Sequence, residues 1–235
     1  MSRRKPQADK NRRTFGIVLA GIAMLGIALV AWQLLRPKSP DFAARTLDVS
    51  SANIVAEGHV LGSPTAPVEV LEFADFECPS CAQFATVTEP DVRKRLVETG
   101  QIRLRYFDLP LAMHRNSWPA SHAAWCAGDQ GKFWEMHDRL YAGQPDWDTH
   151  ATGRPKKIFE GYARELGLDG ARWEQCYDEE KFRPQIEAGL REAERRMVNS
   201  TPTFVFGRLL RPGNSGYDQF KARVDSARAP EMQQP

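Results

Sequence analysis

The sequence has few cysteines, no dominant charge of either sign and no internal repeat. Its 235 residues contain four Cys, and 32 Lys and Arg are nearly balanced by 30 Asp and Glu. So few Cys in a chain of this length exclude a small scaffold held together by disulfides. A hydrophobic fraction of 42% excludes a disordered or collagen-like chain. The composition therefore predicts one domain of about 150–200 residues plus an appendage.

The common motifs of nucleotide-binding and hydrolytic enzymes are also missing. There is no P-loop, no G-x-G-x-x-G and no nucleophile-elbow serine. No pair of histidines at zinc-finger spacing accompanies the cysteines, which disfavours a zinc site. The sequence predicts no metal and no cofactor. We expect the scattered histidines to be packed or surface residues rather than ligands: His114, His122, His137 and His150.

Charge is distributed unevenly along the chain. Residues 1–40 hold eight basic residues and one acidic residue, whereas the rest of the chain holds 24 basic and 29 acidic ones. The overall positive charge therefore belongs to a basic tail that precedes an acidic domain. It does not support binding of nucleic acid by that domain.

An apolar segment without charge follows the basic tail. As a helix, residues 14–35 would span about 33 Å at about 1.5 Å per residue, enough to cross the hydrocarbon core of a bilayer. Six basic residues precede this segment, so the positive-inside rule predicts a cytoplasmic N-terminus and an exported remainder. A cleaved signal peptide is the alternative, but its apolar core is normally shorter, and residues 32–36 make a poor cleavage site.

The rest of the chain alternates strands and helices. A β-rich run at 68–74 predicts a buried strand, residues 79–97 predict a helix, and residues 102–106 predict a second strand with one solvated face. The crossover in such a strand–helix–strand unit implies that its strands pair in parallel. Apolar residues at helical spacing then continue over about 115–197, before two short strands and a last helix.

These patterns divide the chain into five predicted segments. We predict a cytoplasmic basic tail (1–13), a membrane anchor (14–35), a linker (36–54), an α/β domain (55–228) and a C-terminal tail (229–235).

The chemistry of the domain is predicted at Cys78-Pro79-Ser80-Cys81, where the first strand ends and a helix begins. Free backbone N–H groups and the helix dipole at this position favour the thiolate of Cys78, the species that attacks a disulfide. Cys81 lies one turn further along the same face, so it can form a disulfide with Cys78 or resolve a mixed one. Pro79 suits the first helical turn. We therefore predict that Cys78 is the exposed, attacking sulfur and Cys81 the buried, resolving one.

Three separated features of the sequence resemble one family. Residues 70–81 resemble the active-site segment of DsbA-like thiol-disulfide oxidoreductases, and residues 200–204 resemble the loop that carries the cis-proline in that fold. Glu72, six residues before the first Cys of the pair, matches the buried acid of the family. The resemblance covers about residues 55–228 and implies a thioredoxin-like fold with a helical insertion over about 115–197.

The resemblance also implies roles for residues around the cysteines. Pro202 is expected to be cis and to face the disulfide, which leaves the backbone of Thr201 free to pair with an extended substrate. Thr201 occupies a position that tunes the redox potential in the family. Glu72 is expected to accept the proton of Cys81, and the alternative is that its side chain points away from the site.

Three further residues are expected to tune the active site. The two residues between the cysteines are Pro79 and Ser80. Neither is a histidine, so no histidine side chain at these positions can stabilise the thiolate. Glu77, next to Cys78, is expected to disfavour the thiolate and so to oppose the helix dipole.

The other two cysteines, Cys126 and Cys176, fall in the helical insertion. Two left-over Cys in an oxidising compartment suggest a structural disulfide between two of its helices. Closing a loop of this length would stabilise the fold by roughly 4 kcal/mol in the chain-entropy model. The alternative is that both are free and packed as small apolar residues.

Together these features predict a membrane-tethered thiol-disulfide oxidoreductase on the outer side of a bacterial plasma membrane. It would oxidise reduced exported proteins through the Cys78–Cys81 disulfide, and a membrane redox partner would recycle the pair. A reductase or isomerase with the same residues is the first alternative. A tethered chaperone module without turnover is the second.

Overall fold

The computed structural model describes residues 15–16, 19–27, 31–32 and 54–228. The chain separates into two compact units, residues 1–41 and residues 42–235. In the described part of the first unit, the residues are helical, and the apolar side chains of several of them are exposed: Phe15, Leu19, Ile22, Met24, Leu25 and Ile27. Across all described residues, no helix combines the length and the apolar character that crossing a bilayer requires.

Several predicted segments lie outside the described residues. These are the basic tail (1–13), the linker apart from its last residue (36–53) and the C-terminal tail (229–235). The predicted anchor over 14–35 lies partly outside them.

The second unit contains a mixed sheet of five strands in the order β1-β3-β2-β4-β5. Strands β2 and β3 are parallel, and the other neighbouring strands are antiparallel. The parallel pairing predicted from the strand–helix–strand unit is confirmed. The strands are β1 (His59–Leu61), β2 (Glu69–Ala74), β3 (Arg103–Asp108), β4 (Thr203–Phe206) and β5 (Leu209–Pro212).

Helices cover the sheet and form an insertion between β3 and β4. The helix after β2, here α1, consists of four consecutive segments, Pro79–Gln83, Phe84–Thr88, Glu89–Val92 and Arg93–Val97, of which the second and fourth have π geometry. The remaining helices are α2 (Ser117–Gly128), α3 (Phe133–Ala142), α4 (Gln144–Trp147), α5 (Lys156–Glu165), α6 (Gly170–Asp178), α7 (Arg183–Arg195) and α8 (Tyr217–Ala227).

Strand β2 is buried on both faces, and its alternating side chains enter different parts of the core. Val70 packs in a cluster with residues of α1 and α8, such as Leu96 and Phe220. Leu71 and Phe73 face the other way and pack in a cluster that includes Ala193 of α7. Glu72, between them in sequence, therefore points toward the α1 side. The sheet thus holds the end of β2 rigidly at the point where α1 begins.

The insertion comprises helices α2 to α7. A disulfide joins Cys126 of α2 to Cys176 of α6, with their Cα atoms 5.8 Å apart. Both residues are buried in a cluster that also contains Cys78 and Cys81. The insertion is therefore packed against the start of α1, and its residues reach the region of the cysteine pair.

Candidate active site

Cys78 lies at the N-terminus of α1, directly after the sheet. Its backbone is extended, its N–H donates to the carbonyl of Asp75 at 3.0 Å, and Pro79 occupies the first helical position. Cys78 and Cys81 are both free thiols. Cys78 is more buried than the sequence predicts, with only 7% of its surface exposed. The thiol of Cys78 donates to the carbonyl oxygen of Thr201 at 3.5 Å, so the Thr201 loop lies against the Cys78 sulfur.

The pKa values of the two thiols are shifted in opposite directions. A hydrogen bond from the Cys81 thiol is the largest factor that lowers the pKa of Cys78 to about 6. Burial opposes this shift, whereas the side chain of Thr201 and the backbone N–H groups of Ser80 and Cys81 reinforce it. Burial raises the pKa of Cys81 well above its ordinary value, and the neighbouring Cys78 raises it further. Near neutral pH, Cys78 is therefore a thiolate and Cys81 is a thiol.

The Thr201–Pro202 loop approaches the cysteine pair from the end of the insertion. The Thr201–Pro202 peptide bond is cis, and β4 begins at the next residue, Thr203. A proline has no backbone N–H, so Thr201 offers the backbone groups for pairing with an extended chain. The structure therefore brings Thr201, Pro202 and Cys78 together.

Glu72 is buried on the α1 side of the sheet, with 1% of its surface exposed. Desolvation raises the pKa of its carboxyl well above the ordinary value, and the charge of Glu89 adds to the shift. The residue paired with Glu72 on the adjacent strand β3 is Tyr106. Charges on Glu72 and Cys81 both raise the pKa of Tyr106 and of Tyr141, so the two tyrosines lie close to both groups. The Glu72 side chain therefore lies in the interior of the domain rather than at its surface.

Glu77 holds the insertion against the active-site loop. Its carboxylate accepts hydrogen bonds from the backbone N–H groups of Asn116, at 2.6 Å, and Thr149. These donors disperse its negative charge. Gln144 of α4 makes a second connection, because its amide donates to the carbonyl oxygens of Phe76 and Cys78 at 2.7 and 3.2 Å.

Asp75 and His114 form a pair beside Cys78. The buried Asp75 carboxylate accepts from the N–H of Leu111 and from Nδ1 of His114, both at 2.8 Å, and from the Ser117 hydroxyl. The hydrogen bond to Asp75 raises the pKa of His114, and the negative charges of Glu77 and Cys78 act in the same direction. An imidazolium at this position stabilises the Cys78 thiolate by its charge.

Sequence reasoning missed Asp75, His114 and Gln144 as part of the site. A signal was present for two of them, because Asp75 follows β2 and His114 follows β3. The carboxyl ends of neighbouring parallel strands meet at the same edge of the sheet. The position of Gln144 depends on how the insertion packs against the loop that contains Phe76 and Cys78. No local sequence pattern predicts that packing.

The acidity of Cys78 can be measured directly. We expect the rate of Cys78 alkylation in the reduced protein to fall at low pH with a midpoint near pH 6, because only the thiolate reacts. His114→Gln should raise the midpoint by about 0.5–1 pH unit, because it removes a nearby positive charge. The exposed His150 provides the control, since His150→Gln should leave the midpoint unchanged. An unchanged midpoint in His114→Gln would exclude an electrostatic role for His114.

A family model described as Thioredoxin matches residues 55–226. Over 168 residues, the chain is 25% identical to disulfide bond formation protein D of Bacillus subtilis, covering 71% of this chain and 75% of that protein. The crystal structure of oxidised BdbD from Bacillus subtilis superimposes with a TM-score of 0.66, at 22% identity, over 79% of this chain and 97% of that one.

The chain is also similar to part of a larger protein. It is 34% identical over 218 residues to Na(+)/H(+) antiporter NhaA 1 of Salinispora arenicola, covering 88% of this chain. Because the match covers 32% of the antiporter, the chain spans about a third of the length of that relative.

Proposed function

Because the chain belongs to the thioredoxin family, as a DsbA-like thiol-disulfide oxidoreductase, we propose that it oxidises the thiols of exported proteins at the Cys78–Cys81 pair. The observation that supports this direction is the pKa of about 6 at Cys78, because it lies below the value of about 7 for a thioredoxin nucleophile. A stabilised thiolate stabilises the reduced form of the pair. The disulfide form is correspondingly a better oxidant.

The reaction proceeds through a mixed disulfide. A client thiolate attacks Sγ of Cys78 in the oxidised pair, the Cys78–Cys81 bond breaks, and Cys81 leaves with the electron pair. Glu72, a buried carboxyl with a raised pKa, donates a proton to the Cys81 thiolate. A second client thiolate then attacks the client sulfur of the mixed disulfide. Cys78 leaves as a thiolate, the client gains a disulfide, and the pair is reduced by two electrons.

The Thr201–Pro202 loop positions the client chain. The carbonyl oxygen of Thr201 lies within 3.5 Å of Cys78 Sγ, so a client N–H bound to that oxygen would place the client cysteine beside the attacked sulfur. Holding two reacting sulfurs in this way lowers the entropic cost of exchange. Hydrogen bonds between backbone groups do not depend on the client's side chains, so the loop can bind clients of many sequences. This suits an enzyme that acts on different proteins.

The apolar segment at 14–35 in the sequence supports a location for this chemistry. We place its basic flank (1–13) in the cytoplasm and the domain outside a bacterial plasma membrane, where disulfides persist. After each cycle the reduced pair needs an oxidant, and a membrane redox protein of the same compartment would accept its two electrons.

Reduction or isomerisation of client disulfides is the second candidate function. A pKa of about 6 is nearer to that of a thioredoxin nucleophile, about 7, than to that of DsbA, about 3.5. The same cysteine pair supports either direction. The redox state of the pair in living cells separates the two functions.

One labelling experiment tests both the direction and the location. In protoplasts or spheroplasts that express the full chain, we expect Cys78 and Cys81 to be disulfide-bonded at rest. After mild reduction, a membrane-impermeant maleimide should label Cys78, and the chain should stay with the membranes in alkaline carbonate. A pair that is reduced at rest would support the reductase function instead. Labelling only after lysis would contradict the proposed location.

A further inference from the structure

The backbone turn that carries Cys78 is held by a side chain from the insertion. Gln144 is the first residue of helix α4, and its side-chain amide donates to the carbonyl oxygens of Phe76 at 2.7 Å and Cys78 at 3.2 Å. Gln144 is buried, with 7% of its surface exposed. It lies 66 residues from Cys78 in sequence, so the insertion contacts the backbone of the cysteine directly.

The two partners of the Gln144 amide fix its orientation. A carbonyl oxygen can only accept, so the –NH2 group of the amide faces both oxygens and gives one hydrogen to each. A carboxylate or an apolar side chain at this position would leave the two oxygens without this donor, and a buried acceptor without a donor is costly. The position therefore favours a side chain with at least two donor hydrogens.

The turn from Asp75 to Cys78 is also held by local hydrogen bonds. The N–H of Cys78 donates to the carbonyl oxygen of Asp75 at 3.0 Å, and the N–H of Glu77 donates to the Asp75 carboxylate at 2.8 Å. The carbonyl oxygen of Cys78 accepts the N–H of Ala82 at 3.0 Å, as expected at a helix N-terminus. Gln144 adds an anchor from outside the turn, at the carbonyl groups on either side of Glu77.

Helix α4 is short, but its neighbours fix its position. Trp147, at the end of the helix, is fully buried, and its carbonyl oxygen accepts from the Asn116 side chain at 2.7 Å. Gly143 precedes the helix, and a Cβ there would overlap the hydroxyl of Tyr162, so glycine permits this close approach. The Gln144 amide is therefore supported by an element that is itself packed in place.

The turn determines where the Cys78 sulfur lies relative to the loop that we propose binds the client. Its Sγ is 3.5 Å from the carbonyl oxygen of Thr201. Exchange requires a close and aligned approach of the reacting sulfurs, and a displacement of about 1 Å can lower such a rate about 100-fold. A group that fixes the Cys78 backbone relative to Thr201 therefore affects the rate of exchange.

We propose that Gln144 is a positioning residue for thiol-disulfide exchange, which holds the Cys78 sulfur in place for a client chain bound at Thr201. The proposal rests on the exchange reaction at Cys78 and deepens it, because Gln144 acts through the carbonyl groups of Phe76 and Cys78 rather than on a sulfur. The insertion then contributes to the rate of the reaction as well as to the stability of the fold.

The step to be tested is attack by the reduced pair on a peptide disulfide. The Cys78 thiolate attacks the peptide sulfur of a peptide–thionitrobenzoate disulfide, that S–S bond breaks, and thionitrobenzoate leaves with the electron pair. Cys81 then forms the Cys78–Cys81 disulfide and releases the peptide as a thiol. The pair loses two electrons and the peptide disulfide gains them. The mixed disulfide between Cys78 and the peptide is the same species that client oxidation forms.

Two probes with the same leaving group separate positioning from general reactivity. One is the thionitrobenzoate disulfide of an unstructured peptide with a single cysteine, whose backbone can pair with Thr201. The other is the symmetrical bis-thionitrobenzoate disulfide, which has no peptide backbone. Each is mixed in excess with the reduced full chain, and the release of thionitrobenzoate is followed by its absorbance.

Gln144→Met keeps a side chain of similar length but removes both donors. We expect the maximal rate with the peptide probe to fall at least about tenfold, at an unchanged half-saturating concentration. The rate with the symmetrical probe should stay within about twofold, because that probe does not depend on the Thr201 loop. The midpoint of Cys78 alkylation should stay near pH 6, since Gln144 acts on position rather than on charge. General damage to the site would slow both probes alike.

Gln144→Lys tests whether the donors themselves matter. A lysine ammonium has three donor hydrogens, so the ratio of the two rates should return to within about threefold of the wild-type ratio. Gln175→Met is the matched control, because Gln175 is an exposed glutamine of the same insertion and its replacement should change neither rate. If Gln144→Met does not fold, Gln144→His, which keeps one donor, takes its place with an expected fall of at least about threefold.

The outcomes distinguish this role from the proposed function. A peptide rate in folded Gln144→Met equal to that of the wild type, an equal loss with both probes, or no recovery in folded Gln144→Lys would overturn the positioning role. The exchange reaction at Cys78 would stand in each of these cases. A wild-type chain whose Cys78 reacts with neither probe would instead contradict the exchange reaction itself.

Discussion

Replacing Cys78 with Ser is expected to lower client oxidation at least about 1,000-fold, because a hydroxyl cannot form the mixed disulfide on which the reaction depends. The measurement is the loss of free thiols from a reduced client protein mixed with the oxidised chain, with samples quenched in acid. Since Cys78 is a small buried residue and Ser is similar in size, the fold should persist, and circular dichroism checks this.

Cys81→Ser is the matched control for that experiment. It keeps the attacking sulfur and removes the resolving one, so mixed disulfides between Cys78 and the client should accumulate instead of turning over. The covalent complex would be visible by electrophoresis without reductant. Turnover that survives Cys78→Ser would show that the site lies elsewhere in the chain.

Loss of the disulfide between Cys126 and Cys176 is expected to destabilise the domain by about 2–4 kcal/mol. The bond closes a loop with a sequence separation of 50 and thereby restricts the unfolded chain. The double change Cys126→Ala and Cys176→Ala should lower the urea midpoint, and free energies of unfolding follow from linear extrapolation.

The design isolates the disulfide from the redox pair. Both proteins are measured with Cys78 and Cys81 held reduced by a mild reductant that leaves the buried bond intact, as mass spectrometry verifies. Client oxidation by the reoxidised double variant should persist at temperatures where it stays folded. An unchanged urea midpoint, or free thiols at 126 and 176 in the unreduced wild type, would contradict the structural role.

Much of the site could be predicted because its signals are local. The motif from Cys78 to Cys81 follows a β-rich run and opens a helix, so sequence spacing alone places one sulfur at a helix N-terminus. The alternation of side chains along β2 makes Glu72 share a face with Val70, which is a core position. Both positions can be predicted from the regular repeat of side-chain directions along helices and strands.

The interactions of His114 and Gln144 could not be predicted in the same way. Asp75 and His114 are 39 residues apart, and Cys78 and Gln144 are separated by 66. Each pair forms only when the insertion packs against α1 and the sheet edge. A histidine or a glutamine has the same local sequence pattern whether it contacts a residue of the site or the solvent, so tertiary packing alone decides between them.

The reduction potential of the Cys78–Cys81 pair tests the account most directly. The full chain is equilibrated in a series of thiol and disulfide buffers, and the oxidised fraction is measured by trapping free thiols. Because the Cys78 thiolate is stabilised, we predict a potential less negative than about −230 mV. Such a value is shifted from the potential of thioredoxin, about −270 mV, toward that of DsbA, about −120 mV. A potential of about −270 mV or below, as in thioredoxin, would contradict an oxidising function.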